Sequence, residues 1–171
     1  MMSSRQNMDE ARVRRAVAMD AASIAGIYNH HIEIGGSTFD TQDWTDAEVR
    51  EMMDTPSPDA WFVAEVNGQI VGWSSSRQYS NRHGYRFTCE TAIYLHPDST
   101  GYGIGDQLQT HLEQHCHESE IHHAVAKIVS NNQRSISFHQ RYGYQIVGIQ
   151  KEIGRMNGIW TDVTIMQKIF A

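Results

Sequence analysis

Cysteine is nearly absent: Cys89 and Cys116 are the only two in 171 residues. Two thiols cannot build a disulfide framework, so a reducing cytoplasm suits the chain, and buried packing is the ordinary role for both. No apolar run approaches the roughly 20 residues that a membrane-spanning helix needs, and the opening MMSSRQNMDEAR lacks the hydrophobic core of a secretory signal. Neither a membrane partner nor export is expected. Positive charge is also scarce. Fourteen Lys and Arg face twenty Asp and Glu, a formal charge of -6, which gives no electrostatic reason to expect nucleic acid as a partner. Any phosphate must then be held by local geometry. No internal repeat, low-complexity segment or linker interrupts the chain.

What is there is enough apolar material for a core: 40% of the residues are hydrophobic and four are tryptophan. The length fits one domain without staples. Residues 1–11 are polar and aperiodic and read as a loose tail, leaving 12–171 as a single domain.

Val13 to Val17 reads as a short strand, and Asp20 as the N-cap of a helix with Ile24, Ile27, Tyr28 and His31 on one face. Gly35 and Gly36 end that helix. Thr45 to Glu48 has capping-box spacing before a second short helix toward Met53, closed by Pro56 and Pro58. Trp61 to Val66 and Gln69 to Ser75 form a hairpin about Asn67-Gly68, the preferred dipeptide of a two-residue turn. An extended segment from Arg86 to Leu95 stops at His96-Pro97. A helix with Leu108, Leu112 and Cys116 at spacing four follows the glycines at 101, 103 and 105. Ala124 to Val129 reads as a buried strand, and Ser135, Phe138, His139 and Tyr142 as one face of a short helix ended by Gly143. Gln145 to Ile149 and Trp160 to Ile169 are two strands joined around Gly154 and Gly158. The expected fold is α/β in the α+β sense: a mixed, mainly antiparallel sheet with helices on its faces.

In Thr100-Gly-Tyr-Gly-Ile-Gly105 the glycines let backbone approach a ligand, and the following helix offers unpaired N–H groups at a positive dipole end. A pyrophosphate fits such a place, and so does a plain tight turn between strand and helix. The spacing is neither the dinucleotide fingerprint nor a phosphate loop with Gly-Lys-Ser. His111, His115, His117, His122 and His123 are conspicuous, with His111 and His115 on one helical face at metal-ligand spacing. The segment lacks a matching acidic or cysteine set, so it reads as the solvated face and end of a helix, and no metal is expected.

Taken together, the loop, the preceding Glu90 to Pro97 and the later Asn131 to Tyr144 resemble the GNAT superfamily of N-acetyltransferases. The likeness runs from about Val13 to Gln167. It is nearest to the phosphinothricin and methionine sulfoximine N-acetyltransferase branch, through Ile27-Tyr-Asn-His-His-Ile32 with Ser37-Thr-Phe-Asp-Thr41, Arg82 to Thr91, Phe138 to Tyr144 and Gly154 to Asp162. The resemblance implies a GNAT fold and acetyl-coenzyme A as co-substrate. Its pyrophosphate would be cradled by Thr100, Gly101, Tyr102, Gly103, Ile104, Gly105 and Asp106, with Ile93, Tyr94, Leu95, Asn132 and Ser135 along the pantetheine. Thr100 stands where the family usually carries Gln or Arg. The family's strand carries a bulge near Ile93 and Tyr94, splaying from its neighbour and offering a backbone N–H to the oxyanion.

Acetyl transfer to an amine needs a neutral nucleophile, support for the oxyanion and a proton for the thiolate. The resemblance puts Glu90 at the general base and His139 at the thiolate, where many members carry tyrosine. It puts Arg82 and Tyr85 in the substrate loop, with Arg77 and Arg86 as nearby alternatives for a carboxylate, and Phe39 as an apolar wall. Glu90 on a polar strand face, His139 in a helical core, Arg82 as a solvated surface residue and Phe39 as ordinary packing are the plain readings of the same residues. The implied reaction is direct transfer to a small amino-acid-like amine in a ternary complex, by a homodimer whose 154–162 hairpin reaches the site. A polyamine, aminoglycoside or protein N-terminus as acceptor, or a non-catalytic acyl-coenzyme A module, are the competing expectations.

Overall fold

In the computed structural model, which describes residues 11–56 and 58–171, seven strands form one sheet in the order β1-β2-β3-β4-β5-β7-β6. They are β1 (Arg12–Arg15), β2 (Ala60–Val66), β3 (Gln69–Gln78), β4 (Thr88–Leu95), β5 (His123–Val129), β6 (Gln145–Met156) and β7 (Ile159–Ile169). The helices are α1 (Ala21–Ile34), α2 (Asp46–Met53), α3 (Ile104–Glu118) and α4 (Gln133–Arg141). Only β4 and β5 run parallel. The expected mixed, mainly antiparallel α/β sheet is present. The first ten residues of the expected tail lie outside the described residues.

Local chemistry explains the turns. Asn67 and Gly68 both take positive φ, 51° and 77°, as the two-residue turn between β2 and β3 demands, and Asn157 and Gly158 repeat the device between β6 and β7. At α2 the Thr45 hydroxyl accepts the Glu48 N–H while the Glu48 carboxylate accepts the Thr45 N–H, closing the capping box. Asp20 departs from expectation. It precedes α1 but places no side-chain cap on it. Its carboxylate instead accepts the Val17 N–H at 2.8 Å and the Arg14 guanidinium at 2.7 Å, because a short 3-10 turn intervenes.

Two faces carry separate cores. α1 and α2 cover one face, where Ile24, Ile27, Tyr28 and Val49 meet Trp61, Val63 and Trp73. α3 and α4 cover the other: Leu108 and Leu112 pack on Phe62 and Ala64, and Ile136 packs with Cys116 and Met166. Cys89 and Cys116 are buried free thiols. His115 is a correction to the solvated-face reading. It is buried, accepting at Nδ1 from Arg15 at 3.0 Å and donating from Nε2 to the Pro58 carbonyl at 2.7 Å, which ties α3 to the chain leading into β2. A histidine with both ring nitrogens satisfied can be buried at little cost. Among the described residues no group of three or more potential metal ligands gathers, and no helix is long and apolar enough to cross a membrane.

Candidate active site

The parallel pairing of β4 with β5 ends after three rungs, the last being Glu90 with Val125. Beyond it β4 stays bonded only to β3, and β5 only to β7. Two strand edges therefore diverge as a V, with unladdered backbone on both arms, and twist drives them apart. The expected bulge at Ile93 and Tyr94 is absent: the β3–β4 register holds without a shift from Cys89 to Leu95. The splay comes from the divergence of two half-sheets. An extended chain bearing amides can add to such edges as a strand would.

The V opens into a cleft of about 1180 Å³ that runs from the aromatic residues of α1 to the start of α3 and α4. At one end lie Thr100, Gly101, Gly103, Gly105 and Asp106. Gly101 and Gly103 have φ of 86° and 74°, which glycine adopts without the clash a side chain would bring. Gly103 caps α3 with no side-chain hydrogen bond, and Gly103, Gly105 and Asp106 line the cleft, so the first turn of the helix, whose amides have no intrahelical partner, borders it. Ile104 is fully buried and Tyr102 packs beside it, so these two serve the core with their side chains and leave only backbone for a ligand. The Thr100 hydroxyl donates to the Pro97 carbonyl at 3.0 Å. Cations at this end come from α4 instead, since Arg134 and Arg141 both line the cleft. Sequence reasoning passed over them because the helix that carries them cannot be docked from its own pattern. The donor set of helix amides, glycines and arginines fits a coenzyme A pyrophosphate, and the open strand edges fit its pantetheine amides.

Ile93, Tyr94, Leu95, Asn132 and Ser135 line the middle. Asn132 is also the N-cap of α4, its Oδ1 accepting the Ser135 N–H at 3.2 Å. His139 is buried, and its Nδ1 donates to the Ser135 carbonyl at 2.7 Å. That bond fixes the proton on Nδ1 and leaves a lone pair on Nε2. Burial holds the ring's pKa below its ordinary value. A neutral ring of this tautomer accepts at Nε2 and can give a proton there only after taking one up.

Glu90 stands at the apex of the V, half-exposed, with Lys127 donating to its Oε2 at 2.9 Å. Lys127 was not foreseen, although a lone lysine in the otherwise apolar Ala124 to Val129 was a visible signal. On the far side, Tyr28 stacks on Trp44 with ring centroids 3.8 Å apart and meets Tyr94 edge-on at 5.0 Å. Its hydroxyl donates to Asp40 at 2.6 Å, and burial raises its pKa. Phe39 lines the same region and rests on Gly154, where any Cβ would run into its ring. Arg82 and Tyr85 do not line the cleft. They lie in the exposed 81–87 segment, with Tyr85 reaching only the ring of Tyr79, which does line it. Of the two alternative cations, Arg77 is in the lining, whereas Arg86 is exposed outside it, over the Phe87 ring.

Comparison with known proteins agrees with this architecture. Residues 25–144 match the acetyltransferase (GNAT) family model. The L-amino acid N-acyltransferase MnaT of Escherichia coli K12 is 32% identical over 91% of both chains. The L-methionine sulfoximine/L-methionine sulfone acetyltransferase of Salmonella typhimurium is 31% identical, over 91% of this chain and 92% of its own. A solved phosphinothricin acetyltransferase of Sinorhizobium meliloti, in complex with AcCoA, superposes with a TM-score of 0.87 at 31% identity, covering 94% of this chain and 89% of the other. With a sheet split at β4 and β5, a glycine loop opening α3 and relatives of this kind, the chain belongs to the GNAT family and is an N-acetyltransferase that uses acetyl-coenzyme A.

Proposed function

We propose that this N-acetyltransferase acetylates the α-amino group of a small amino acid by direct attack within a ternary complex, with Glu90 as the proton acceptor. The observation that carries the reading is the position of Glu90 at the last shared rung of β4 and β5, where the coenzyme end and the aromatic end of the cleft meet. An ammonium must lose a proton before it attacks. Glu90 Oε2 is held by Lys127, and Oε1 makes no hydrogen bond to the described residues, leaving it for an amine or a bridging water. The coenzyme, when bound, supplies the acetyl group as a thioester. Neither Cys89 nor Cys116 lines the cleft, which supports transfer without an acyl-enzyme. The three relatives' names, an L-amino acid acyltransferase, a methionine sulfoximine/sulfone enzyme and a phosphinothricin enzyme, all denote α-amino acid acceptors. The buried free thiols support a reducing, cytoplasmic setting.

Thiol release from acetyl-coenzyme A, followed across phosphinothricin, methionine sulfoximine, methionine sulfone, spermidine and an aminoglycoside, tests the acceptor class. Amino acids are expected to dominate, and a preference for spermidine or the aminoglycoside would reassign it. Glu90→Gln should lower turnover about 100-fold or more at neutral pH with coenzyme binding intact, and recover partly toward pH 10. Wild-type turnover in that variant from pH 6 to 10 would remove Glu90 as the base.

A further inference from the structure

β3 and β4 pair so that Arg77 lies directly opposite Glu90, both within the cleft lining. On the other side of Glu90, β5 carries Lys127 on the same face, already bonded to the Glu90 carboxylate. The row across three strands is cation, carboxylate, cation, and of the two cations only Lys127 is bonded to the carboxylate. Arg77 forms no ion pair and no side-chain hydrogen bond among the described residues. Its exposed guanidinium stands 5.8 Å from the Trp61 ring centroid. On the β2 side Asp59 directs Oδ1 to the Gln78 N–H at 2.7 Å and feels the Arg77 charge without forming an ion pair with it.

An α-amino acid carries its carboxylate on the carbon that bears its amine. If the amine sits at Glu90, the carboxylate falls within about 5 Å, the spacing of directly opposed residues in an antiparallel pair. Arg77 occupies that neighbouring place, and a guanidinium fork suits a carboxylate. Across the cleft, Asp40 accepts the Tyr28 hydroxyl among Phe39 and Trp44, and no cation pairs with it among the described residues. A carboxylate without a counter-ion beside an aromatic wall repels a second anion.

We propose that Arg77, rather than Arg82, binds the acceptor's α-carboxylate, and that Asp40 turns away acidic side chains. The acceptor is then a free α-amino acid whose side chain carries no negative charge. This rests on the reading of Glu90 as the place of the amine, and it narrows the acceptor class within that reading.

The test uses kcat/KM for methionine sulfone, its carboxamide and phosphinothricin, whose side chain is anionic. Wild type, Arg77→Gln, Asp40→Asn and Arg82→Ala are compared, with acetyl-coenzyme A affinity as the check on folding. The wild type should favour methionine sulfone over phosphinothricin by about tenfold or more. Arg77→Gln should lower kcat/KM for the free acid about 10- to 100-fold, mostly through KM, and that for the carboxamide by less than about threefold. Asp40→Asn, which still accepts from Tyr28, should narrow the preference about fivefold. Equal losses for acid and amide in Arg77→Gln, or an equal or larger loss in Arg82→Ala, would overturn the role of Arg77. Equal use of phosphinothricin by the wild type, or an unchanged preference in Asp40→Asn, would overturn that of Asp40. If no member of the panel is acetylated while spermidine or the aminoglycoside is, the amino-acid reading itself fails, a result distinct from a panel acetylated without these preferences.

Discussion

His139 is a residue whose chemistry the surrounding backbone constrains. Its Nδ1–H is committed to the Ser135 carbonyl and its ring is buried, so the folded state resists protonation. Burial acts the same way on His31, whose Nε2 donates to the Leu95 carbonyl at 2.7 Å. Unfolded, both rings titrate near the ordinary value of about 6.5. Since their folded pKa values lie lower, the unfolded chain binds more protons in the window below that value, and stability falls as pH drops through it. Above about pH 7 neither state is protonated and the contribution is flat. Calorimetric melting temperatures should therefore decrease from pH 7 to pH 5, and His139→Phe should show a shallower decrease than the parent. An identical slope in the two proteins would mean that His139 titrates alike folded and unfolded.

At the scale of elements, one glycine in the cleft and one behind its Phe39 wall serve different ends. A Cβ at Gly103 meets nothing within 4 Å, but the residue's φ is 74°, so Gly103→Ala should cost about 1–2 kcal/mol of stability through backbone strain alone. Gly103→Val, bulkier at the same φ and beside the helix amides, should also weaken acetyl-coenzyme A binding. At Gly154 the backbone is unconstrained in this sense, yet an added Cβ would displace the Phe39 ring from the cleft wall. Gly154→Ala should accordingly raise KM for the acceptor while leaving coenzyme affinity unchanged. Titration calorimetry with acetyl-coenzyme A, run beside steady-state kinetics, separates the two: the coenzyme constant should move in Gly103→Val and the acceptor constant in Gly154→Ala. The reverse pattern would reassign both ends of the cleft.

For the molecule as a whole, β6 is one of the two terminal strands of the sheet, at the edge opposite β1. Ile146, Val147, Ile149 and Ile153 on it, with Ile159 and Trp160 on β7, are each half or more exposed. An edge strand with so much apolar surface is the kind that pairs with another chain. A homodimer through this hairpin is the expected state, which would bring a second copy beside the cleft, since Gln150 and Ile153 line it. Light scattering should report a dimer for the parent and a monomer for the Ile149→Asp, Trp160→Asp double variant. A monomeric parent would remove the proposal.

The sequence by itself was sufficient wherever the cause is local. Asn67-Gly68 prescribes a turn because few other dipeptides tolerate positive φ twice, Thr45 and Glu48 cap a helix within one turn, and alternate glycines before Leu108, Leu112 and Cys116 mark a loop that opens a helix. Motifs of that range carried the family and pointed to Glu90. The tertiary structure decided what depends on strand register and on which side chains share a face. Arg77 and Glu90 are neighbours because β3 pairs with β4, Lys127 reaches Glu90 because β5 lies parallel beside β4, and Asp40 arrives from the loop after α1 through the Tyr28 hydroxyl. In the linear chain Arg77, Arg82 and Arg86 all suit a carboxylate by their chemistry, and only the resemblance puts Arg82 first. A shift of one residue in the register turns a side chain to the opposite face of a sheet, and that alternation, invisible until the strands are paired, puts Arg77 inside the cleft while Arg82 remains on the exposed segment beyond it.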